Sequence, residues 1–200
     1  MKRDNRTRAR VRLLLVAAVF AAPMIAGYGL YYSGWRPAEV HPQGELITPA
    51  RHIDDVELKT LDGAAIRFLT SPPRWSLVYV GSSECDSPCE RALYVLRQLT
   101  AAQGREAHRI RPLVIVTDDR ALTALRNRMQ DYPTVTAVTG TPAQIARLAR
   151  GFETPAGGPR THRLYIVDPL GNFVLSYPND VDMAGVSKDL KRLLRYSQVG

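Results

Sequence analysis

The 200-residue chain lacks the short motifs that identify several common enzyme classes. It contains neither a Walker-type phosphate loop nor a G-x-G-x-x-G turn, and no Ser/His/Asp order stands out. No internal repeat or low-complexity tract is evident. With 45% hydrophobic and 23% charged residues, the composition is that of a globular protein, and the length suits one domain with an appendage.

Charge is absent from residues 13–32, LLLVAAVFAAPMIAGYGLYY. At 1.5 Å per residue, ~20 helical residues span the ~30 Å hydrocarbon layer of a bilayer. Aromatic side chains, which prefer the membrane interface, gather at the far end: Tyr28, Tyr31, Tyr32 and Trp35. The sequence predicts an uncleaved transmembrane helix over 13–32. A cleaved signal peptide is the alternative, but its apolar region is usually shorter, and residues 19–21 form only a weak cleavage pattern.

The net charge of +8 is concentrated before this segment. The first twelve residues carry +5, which leaves +3 for the rest of the chain. The basicity therefore belongs to a tail and does not indicate nucleic-acid binding. Basic residues that flank a span stay in the cytoplasm, so we expect 1–12 to be a cytoplasmic tail. The following domain then lies beyond an inner membrane crossed once, most simply in a bacterial periplasm.

Residues 33–53 contain three prolines and two glycines without a sustained apolar period. This composition predicts a linker, with the folded domain over 54–200. Within the domain, an Asp-Gly pair at 62–63 predicts a hairpin, and WSLVYVG and PLVIVTDD predict strands buried on both faces. TVTAV predicts a further strand, and RLYIVDPLGNFVLSY predicts a hairpin that turns at 168–172.

Four amphipathic patterns predict helices that alternate with these strands: CERALYVLRQLTAAQ, RALTALRNRMQ, TPAQIARLARGF and DMAGVSKDLKRLLRYS. The third begins with a Thr, Pro and Gln arrangement that is typical of a capping box. The order of elements, closed by a hairpin and a helix, predicts an α/β fold. We expect a thioredoxin-like mixed sheet flanked by helices and preceded by one transmembrane helix.

Cys85 and Cys89 are the only cysteines, and they lie between a predicted strand and a predicted helix in GSSECDSPCERAL. Ser87 suits the N-cap, Pro88 the first helical position and Glu90 the capping-box acid. The helix is therefore predicted to begin between the cysteines. Its unpaired N–H groups and dipole should make both thiols ionise readily, and Cys85, the less enclosed, is the expected nucleophile.

Three interpretations of this pair stay open: a structural disulfide, a redox pair, and two thiolates that bind a metal. Cysteines in an oxidising compartment are expected to pair. A bridge across so short a loop removes little unfolded-chain entropy, because ~3 kcal/mol is the contribution of a ~15-residue loop. Redox or metal chemistry is favoured by the ionising environment at a strand-to-helix junction.

Residues 54–196 resemble the Sco/SenC family of membrane-anchored assembly factors for cytochrome c oxidase. Four segments carry the resemblance: the strand leading to GSSECDSPCERAL, PLVIVTDD, TAVTGTPAQIARLARGF and LYIVDPLGNFV. The resemblance implies a thioredoxin-like domain that holds copper through two thiolates and one histidine. It implies delivery of copper to the oxidase, or reduction of the target's cysteines, with an oxidase subunit or its assembly factors as partner. Soft sulfur ligands would favour Cu(I).

The chain departs from the family pattern at two places. The family's second cysteine is usually followed by Pro, where this chain has Glu90. The family's histidine aligns with Arg160, and two residues along a strand, ~6.6 Å, separate this position from His162. His162 is the candidate third ligand beside Cys85 and Cys89 if loop 157–159 shifts the register; otherwise it is a polar residue at a strand start. No ligand role is expected for the linker or approach residues His41, His52 and His108.

Two other functions fit the same sequence. One is a membrane-tethered thiol-disulfide oxidoreductase with another client, which would be an enzyme. Its weakness is that thioredoxin-type enzymes carry a Pro before the strand that faces the cysteines; the matching position is near Arg163, and Pro159 lies too early. The other is an interaction scaffold that keeps the fold without a metal.

Overall fold

The computed structural model describes residues 2–34, 42–153 and 162–197, and the chain divides into two compact units, Met1–His41 and Pro42–Gly200. The first unit contains helix α1, Lys2–Tyr32. Within it, Arg10–Tyr32 is an apolar stretch of 23 residues with a mean hydropathy of 2.1. Its length and composition are consistent with a single-pass membrane anchor.

The second unit is built on a mixed sheet, which has eight strands within the described ranges. They are β1 (Glu45–His52), β2 (Glu57–Thr60), β3 (Ala65–Arg67), β4 (Trp75–Gly81), β5 (Ile110–Val116), β6 (Thr136–Thr139), β7 (Arg163–Val167) and β8 (Asn172–Pro178). The spatial order is β1-β8-β7-β4-β5-β6-β2-β3. Strands β4, β5 and β6 are parallel, and the other pairings are antiparallel.

Helices cover both faces of the sheet. They are α2 (Ser87–Ala101), α3 (Leu122–Met129), α4 (Pro142–Gly151) and α5 (Met183–Tyr196), with a 3-10 turn at Gly104–Arg109. Alternate residues of β4 divide between two apolar clusters, one shared with α2, α3 and α5 and the other with α4. The thioredoxin-like α/β fold is confirmed, and every residue of β4 and β5 is buried, as their apolar runs predict.

The structure also confirms a turn and a helix cap that short sequence patterns predict. The hairpin between β2 and β3 turns at Gly63, whose φ is +88°. Helix α4 begins with the predicted capping box, in which the Thr141 side chain accepts from the Gln144 amide and the Gln144 side chain accepts from the Thr141 amide. His108 lies in the 3-10 turn that leads into β5, as expected.

The predicted linker over 33–53 is too long. Glu45–His52 forms strand β1, which pairs antiparallel with β8 at the edge of the sheet. Only Ile47 is buried within this strand, and its pairing is irregular between Leu46 and Arg51. An exposed edge strand needs no alternating apolar pattern and tolerates Pro49, so the sequence signal was missing. His52 therefore ends a strand; His41 and Trp35 lie outside the described residues.

Candidate functional site

Cys85 and Cys89 lie where central strand β4 ends and α2 begins, and they are joined by a disulfide with their Cα atoms 4.9 Å apart. The position is the edge of the sheet formed by the carboxyl ends of the parallel strands. Cys85 keeps 9% of its surface exposed and Cys89 keeps 1%. Cys85 is thus the less enclosed residue, and only its edge is accessible in the disulfide form.

The cap of α2 differs by one residue from the prediction. Asp86, not Ser87, is the N-cap, and its carboxylate accepts from the Cys89 amide at 3.3 Å. Asp and Ser cap helices about equally well, so the sequence alone does not distinguish the two neighbours. Cys89 lies in the first turn and Cys85 in the loop just before it, as predicted. The cap places a carboxylate beside the disulfide.

The loop before α2 has an unusual backbone conformation at Cys85 and is held by hydrogen bonds of Ser83. Cys85 has a left-handed backbone, with φ at +46°, which costs a non-glycine residue about 1 kcal/mol or more. Two residues earlier, the buried Ser83 hydroxyl donates to the Asp118 carboxylate and accepts from the Ala121 amide at 2.9 Å. These bonds tie the cysteine loop to the segment that follows β5.

Asp118 is a site residue to which the sequence assigned no role. It follows PLVIVT, and Arg120 pairs with it at 3.3 Å and with Glu84 at 3.5 Å. Burial raises the pKa of Asp118, but the hydrogen bonds from Ser83 and Arg120 outweigh burial and hold this pKa below its ordinary value. The carboxylate therefore stays ionised and keeps its bond to Ser83.

Tyr79, on β4, connects the cysteine side of the sheet to His162. Its ring is fully buried, and its hydroxyl lies 3.0 Å from His162 Nδ1. Gly81 makes room for the ring, because a Cβ there would lie 2.5 Å from Tyr79 Cε1. Burial, and then the negative charge of Asp86, raise the pKa of Tyr79, so the phenol keeps its proton. The hydroxyl can donate to Nδ1 or accept from it, and in either case it orients the imidazole.

His162 lies at the same edge of the sheet as the cysteines. It precedes β7, has a φ of +61°, and donates its amide to the Val80 carbonyl at 3.1 Å. The ring is exposed. With Nδ1 at the Tyr79 hydroxyl, Nε2 is the ring nitrogen that can bind another atom. Arg160 and the loop 157–159, on which the register argument depends, lie outside the described residues.

The predicted three-ligand set is not assembled in the disulfide form. Within residues 2–34, 42–153 and 162–197, no group of three or more His, Cys, Asp or Glu side chains is close enough to hold a metal. Disulfide sulfurs are not thiolates, which are the form that binds metals. A copper site at Cys85, Cys89 and His162 would therefore require reduction of the disulfide.

Arg163 occupies the region in which thioredoxin-type enzymes carry their Pro. Its guanidinium donates to the Ser176 hydroxyl at 2.8 Å and to the Glu45 carboxylate at 3.1 Å. The residue thus fastens β7 to β8 and β1, and its side chain is directed along the sheet. Pro159 lies outside the part of the chain that the structure describes.

A family model described as the transmembrane-like, thioredoxin-like, C-terminal domain matches residues 75–197. The matched segment contains β4 to α5 and includes both cysteines. A search of curated proteins finds no match.

Solved structures of Sco proteins share the fold. Copper-bound ScoI of Bradyrhizobium japonicum is 21% identical with a TM-score of 0.57, over 70% of this chain and 98% of that chain. Yeast Sco1 is 17% identical with a TM-score of 0.62, over 73% and 99%. BsSco, a Sco-family cytochrome c oxidase assembly protein in which a disulfide switch has been identified, is 15% identical with a TM-score of 0.59, over 76% and 99%. At these identities the likeness is one of fold.

Proposed function

We propose that this chain, which belongs to the family of the transmembrane-like, thioredoxin-like, C-terminal domain, is a membrane-anchored, Sco-like assembly factor for cytochrome c oxidase. Its Cys85–Cys89 pair acts on an oxidase subunit or assembly factor, by reducing thiols, by handling copper, or by both. The observation that most directly supports this proposal is the disulfide at the junction of β4 and α2. The basic residues 1–12 support a cytoplasmic N-terminus and a periplasmic domain.

Thiol-disulfide exchange follows from the arrangement of the two sulfurs. In the reduced chain, the Cys85 thiolate attacks one sulfur of an oxidised target and forms a mixed disulfide, which releases the other target sulfur as a thiolate. The Cys89 thiolate then attacks Cys85, releases the second target sulfur, and forms the disulfide seen here. Two electrons pass to the target, and its two thiolates take up protons from water. A membrane reductant of the thiol class must regenerate the pair.

Copper is the candidate cargo of the reduced pair. Two thiolates and an imidazole are a soft donor set that suits Cu(I), and the solved ScoI of Bradyrhizobium japonicum holds copper on the same fold. The side-chain types fit, but the set is not assembled while the disulfide is closed. The Tyr79 hydroxyl would orient His162 as a third donor.

The reduction potential of the detergent-solubilised full chain tests the exchange step. We expect a value within the range of exchange proteins, about −120 to −270 mV. The readout is the mass shift of Cys85 and Cys89 after thiol alkylation in buffers of defined potential. A potential below about −300 mV would identify a resistant structural bridge and would contradict the exchange step.

Copper handling has its own test. The reduced chain should bind one Cu(I), and Cu(II) should give an intense sulfur-to-copper absorption that is lost in Cys85→Ser. His162→Ala should weaken binding, whereas His52→Ala, which alters an exposed histidine at the end of β1, should not. Unchanged stoichiometry in the Cys85→Ser, Cys89→Ser double variant would contradict copper binding at this site.

A thiol-disulfide oxidoreductase with another client is the second candidate. The Cys85–Cys89 disulfide supports it, because exchange uses this bond directly, whereas copper binding requires the bond to be reduced first. An exchange-range potential without Cu(I) binding would support this candidate. Failure of both tests would leave an interaction scaffold on the same fold.

A further inference from the structure

Helix α5 carries a basic face that the redox site does not use. Four cations at positions i, i+3, i+4 and i+7 share one side of the helix: Lys188, Lys191, Arg192 and Arg195. Lys188, Lys191 and Arg195 are exposed, and Arg192 is half-buried. Among the described residues, none of the four forms an ion pair with a carboxylate.

The acid of the same helix is turned away from this face. Asp189 is 4% exposed, and its carboxylate accepts from the Tyr177 hydroxyl at 3.2 Å and from the Gln43 amide at 2.7 Å. The Asp189 carboxylate is therefore hydrogen-bonded inside the domain and does not pair with the four cations. The outward face of α5 thus presents the four cations, with the exposed ring of Tyr196 beside it. The neighbouring Glu106 carboxylate is paired with Arg109 at 2.7 Å.

The chain that comes from α1 enters the domain at this helix. Gln43 bonds to Asp189, and its Cγ lies 2.8 Å from the point that a Cβ on Gly185 would occupy. Eleven residue steps separate Tyr32, the last residue of α1, from Gln43. A fully extended chain covers at most ~3.6 Å per residue, so this tether can span no more than ~40 Å.

We propose that the basic face of α5 binds the anionic phospholipid headgroups of the bilayer that holds α1. The proposal rests on the proposed membrane anchor and is independent of the chemistry of the cysteines. A short tether keeps the face at high effective concentration near the lipid surface. Clustered Lys and Arg next to a span are attracted to an anionic leaflet, and Tyr196 is suited to the interface. The domain would thus lie against the membrane through α5.

The lysines provide an internal readout. The chain has four, Lys2, Lys59, Lys188 and Lys191, and Lys59 is exposed on β2, on the same domain. The oxidised full chain is reconstituted in vesicles of phosphatidylcholine alone or with about 30% phosphatidylglycerol. A membrane-impermeant amine reagent then labels the outward-facing molecules, and mass spectrometry reports the labelling of each lysine relative to Lys59.

We expect labelling of Lys188 and Lys191, relative to Lys59, to fall about tenfold in the anionic vesicles and to stay unchanged in the neutral ones. In 1 M NaCl the protection should disappear, since the screening length shortens to ~3 Å. The variant Arg192→Gln, Arg195→Gln should lose most of the protection. The matched pair Arg147→Gln, Arg150→Gln, which alters exposed arginines of α4 on the other side of the sheet, should keep it.

Equal labelling in the two kinds of vesicle would overturn the proposal and would leave an acidic protein as the alternative occupant. Protection that survives 1 M NaCl would also overturn it, because the contact would not be electrostatic. Flotation of the chain with neutral vesicles tests the anchor separately. A failed thiol or copper assay leaves the lysine result intact, so the two proposals fail independently.

Discussion

The two faces of the sheet bury side chains of different chemistry. Toward α4, Phe152 packs its ring 6.1 Å from Phe68 and 5.8 Å from Phe173, within an apolar cluster. Toward α2 and α5, the core includes the disulfide and the hydroxyls of Tyr79 and Tyr177. The α4 face also buries the ring of Tyr165, 4.8 Å from Phe152, whereas both cysteines and the two hydroxyls that bond to His162 and Asp189 belong to the second face.

The difference assigns separate tasks to the two faces. Aromatic packing toward α4 contributes stability within a cluster to which neither cysteine belongs. On the other face, the Tyr79 hydroxyl bonds to His162, the candidate copper ligand. The Tyr177 hydroxyl bonds to Asp189, which also accepts from the Gln43 amide where the chain from α1 enters the domain. Substitutions on the α4 face should therefore alter stability alone, whereas those on the α2 face should alter stability and chemistry together.

The largest expected effect is that of Phe152→Ala. Removal of the ring leaves a cavity against Phe68 and Phe173, and such substitutions cost about 3–5 kcal/mol of unfolding free energy. Urea denaturation of the detergent-solubilised chain measures the loss, with Phe152→Leu as a milder control. The reduction potential of the cysteine pair should stay within error of the wild-type value. A shifted potential would show that packing on the α4 face influences the chemistry of the cysteine pair, and would contradict the proposed independence of the two faces.

Opening the disulfide should have a smaller effect. Closing a loop of this size restricts the unfolded chain by about 2 kcal/mol, so Cys89→Ser should lower the unfolding free energy by that amount. A loss above about 4 kcal/mol would exceed the loop-closure contribution and favour a structural disulfide. Wild-type chain with its disulfide reduced is the matched control, because it opens the same loop without a substitution.

Much of the fold was predictable because its signals are local. The apolar runs of β4 and β5 report burial on both faces, and Thr141 to Gln144 form a cap from neighbouring residues. Strand β1 escaped prediction because an edge strand buries little. Its pairing with β8 depends on residues more than a hundred positions away.

The site was predictable only in part. Cys85 and Cys89 can be recognised as candidate site residues from the sequence, because of their residue type and the predicted start of a helix beside them. The bonds that hold their loop join residues distant in sequence, since Ser83 and Asp118 are 35 positions apart and Tyr79 and His162 are 83 apart. Only the folded sheet brings these partners together. Asp118 and Tyr79 are visible in the sequence, but no local pattern around them predicts a role in the site.

The buried hydroxyls offer a finer test of the face on which they lie. Tyr177→Phe removes a bond to the Asp189 carboxylate and should cost about 2 kcal/mol, whereas Tyr79→Phe removes a bond to the His162 imidazole and should cost about 1 kcal/mol. Thermal denaturation measures both. Only Tyr79→Phe should weaken Cu(I) binding, because the hydroxyl orients His162. Equal copper affinity in the two variants would contradict that orienting role.

The smallest expected effect concerns Asp118, and its sign follows from the direction of its pKa. The pKa of Asp118 is lowered in the fold, because bonds from Ser83 and Arg120 outweigh burial. Its contribution is therefore present above the ordinary value of about 3.9 and is lost as the pH falls through the lower folded value. Asp118→Asn should reduce the unfolding free energy at neutral pH by less than about 1 kcal/mol, since the pair is partly exposed.

The same substitution connects the loop to the chemistry of the pair. When an amide replaces the carboxylate, the Ser83 hydroxyl loses its charged acceptor, and the loop that carries Cys85 is held less firmly. Reaction of the reduced chain with an oxidised dithiol should change for Asp118→Asn and not for Asp119→Asn, its exposed neighbour. The stability difference between wild type and Asp118→Asn should shrink as the pH falls below about 4. A difference that is constant from pH 7 to pH 3 would show that the carboxylate does not hold the loop through its charge.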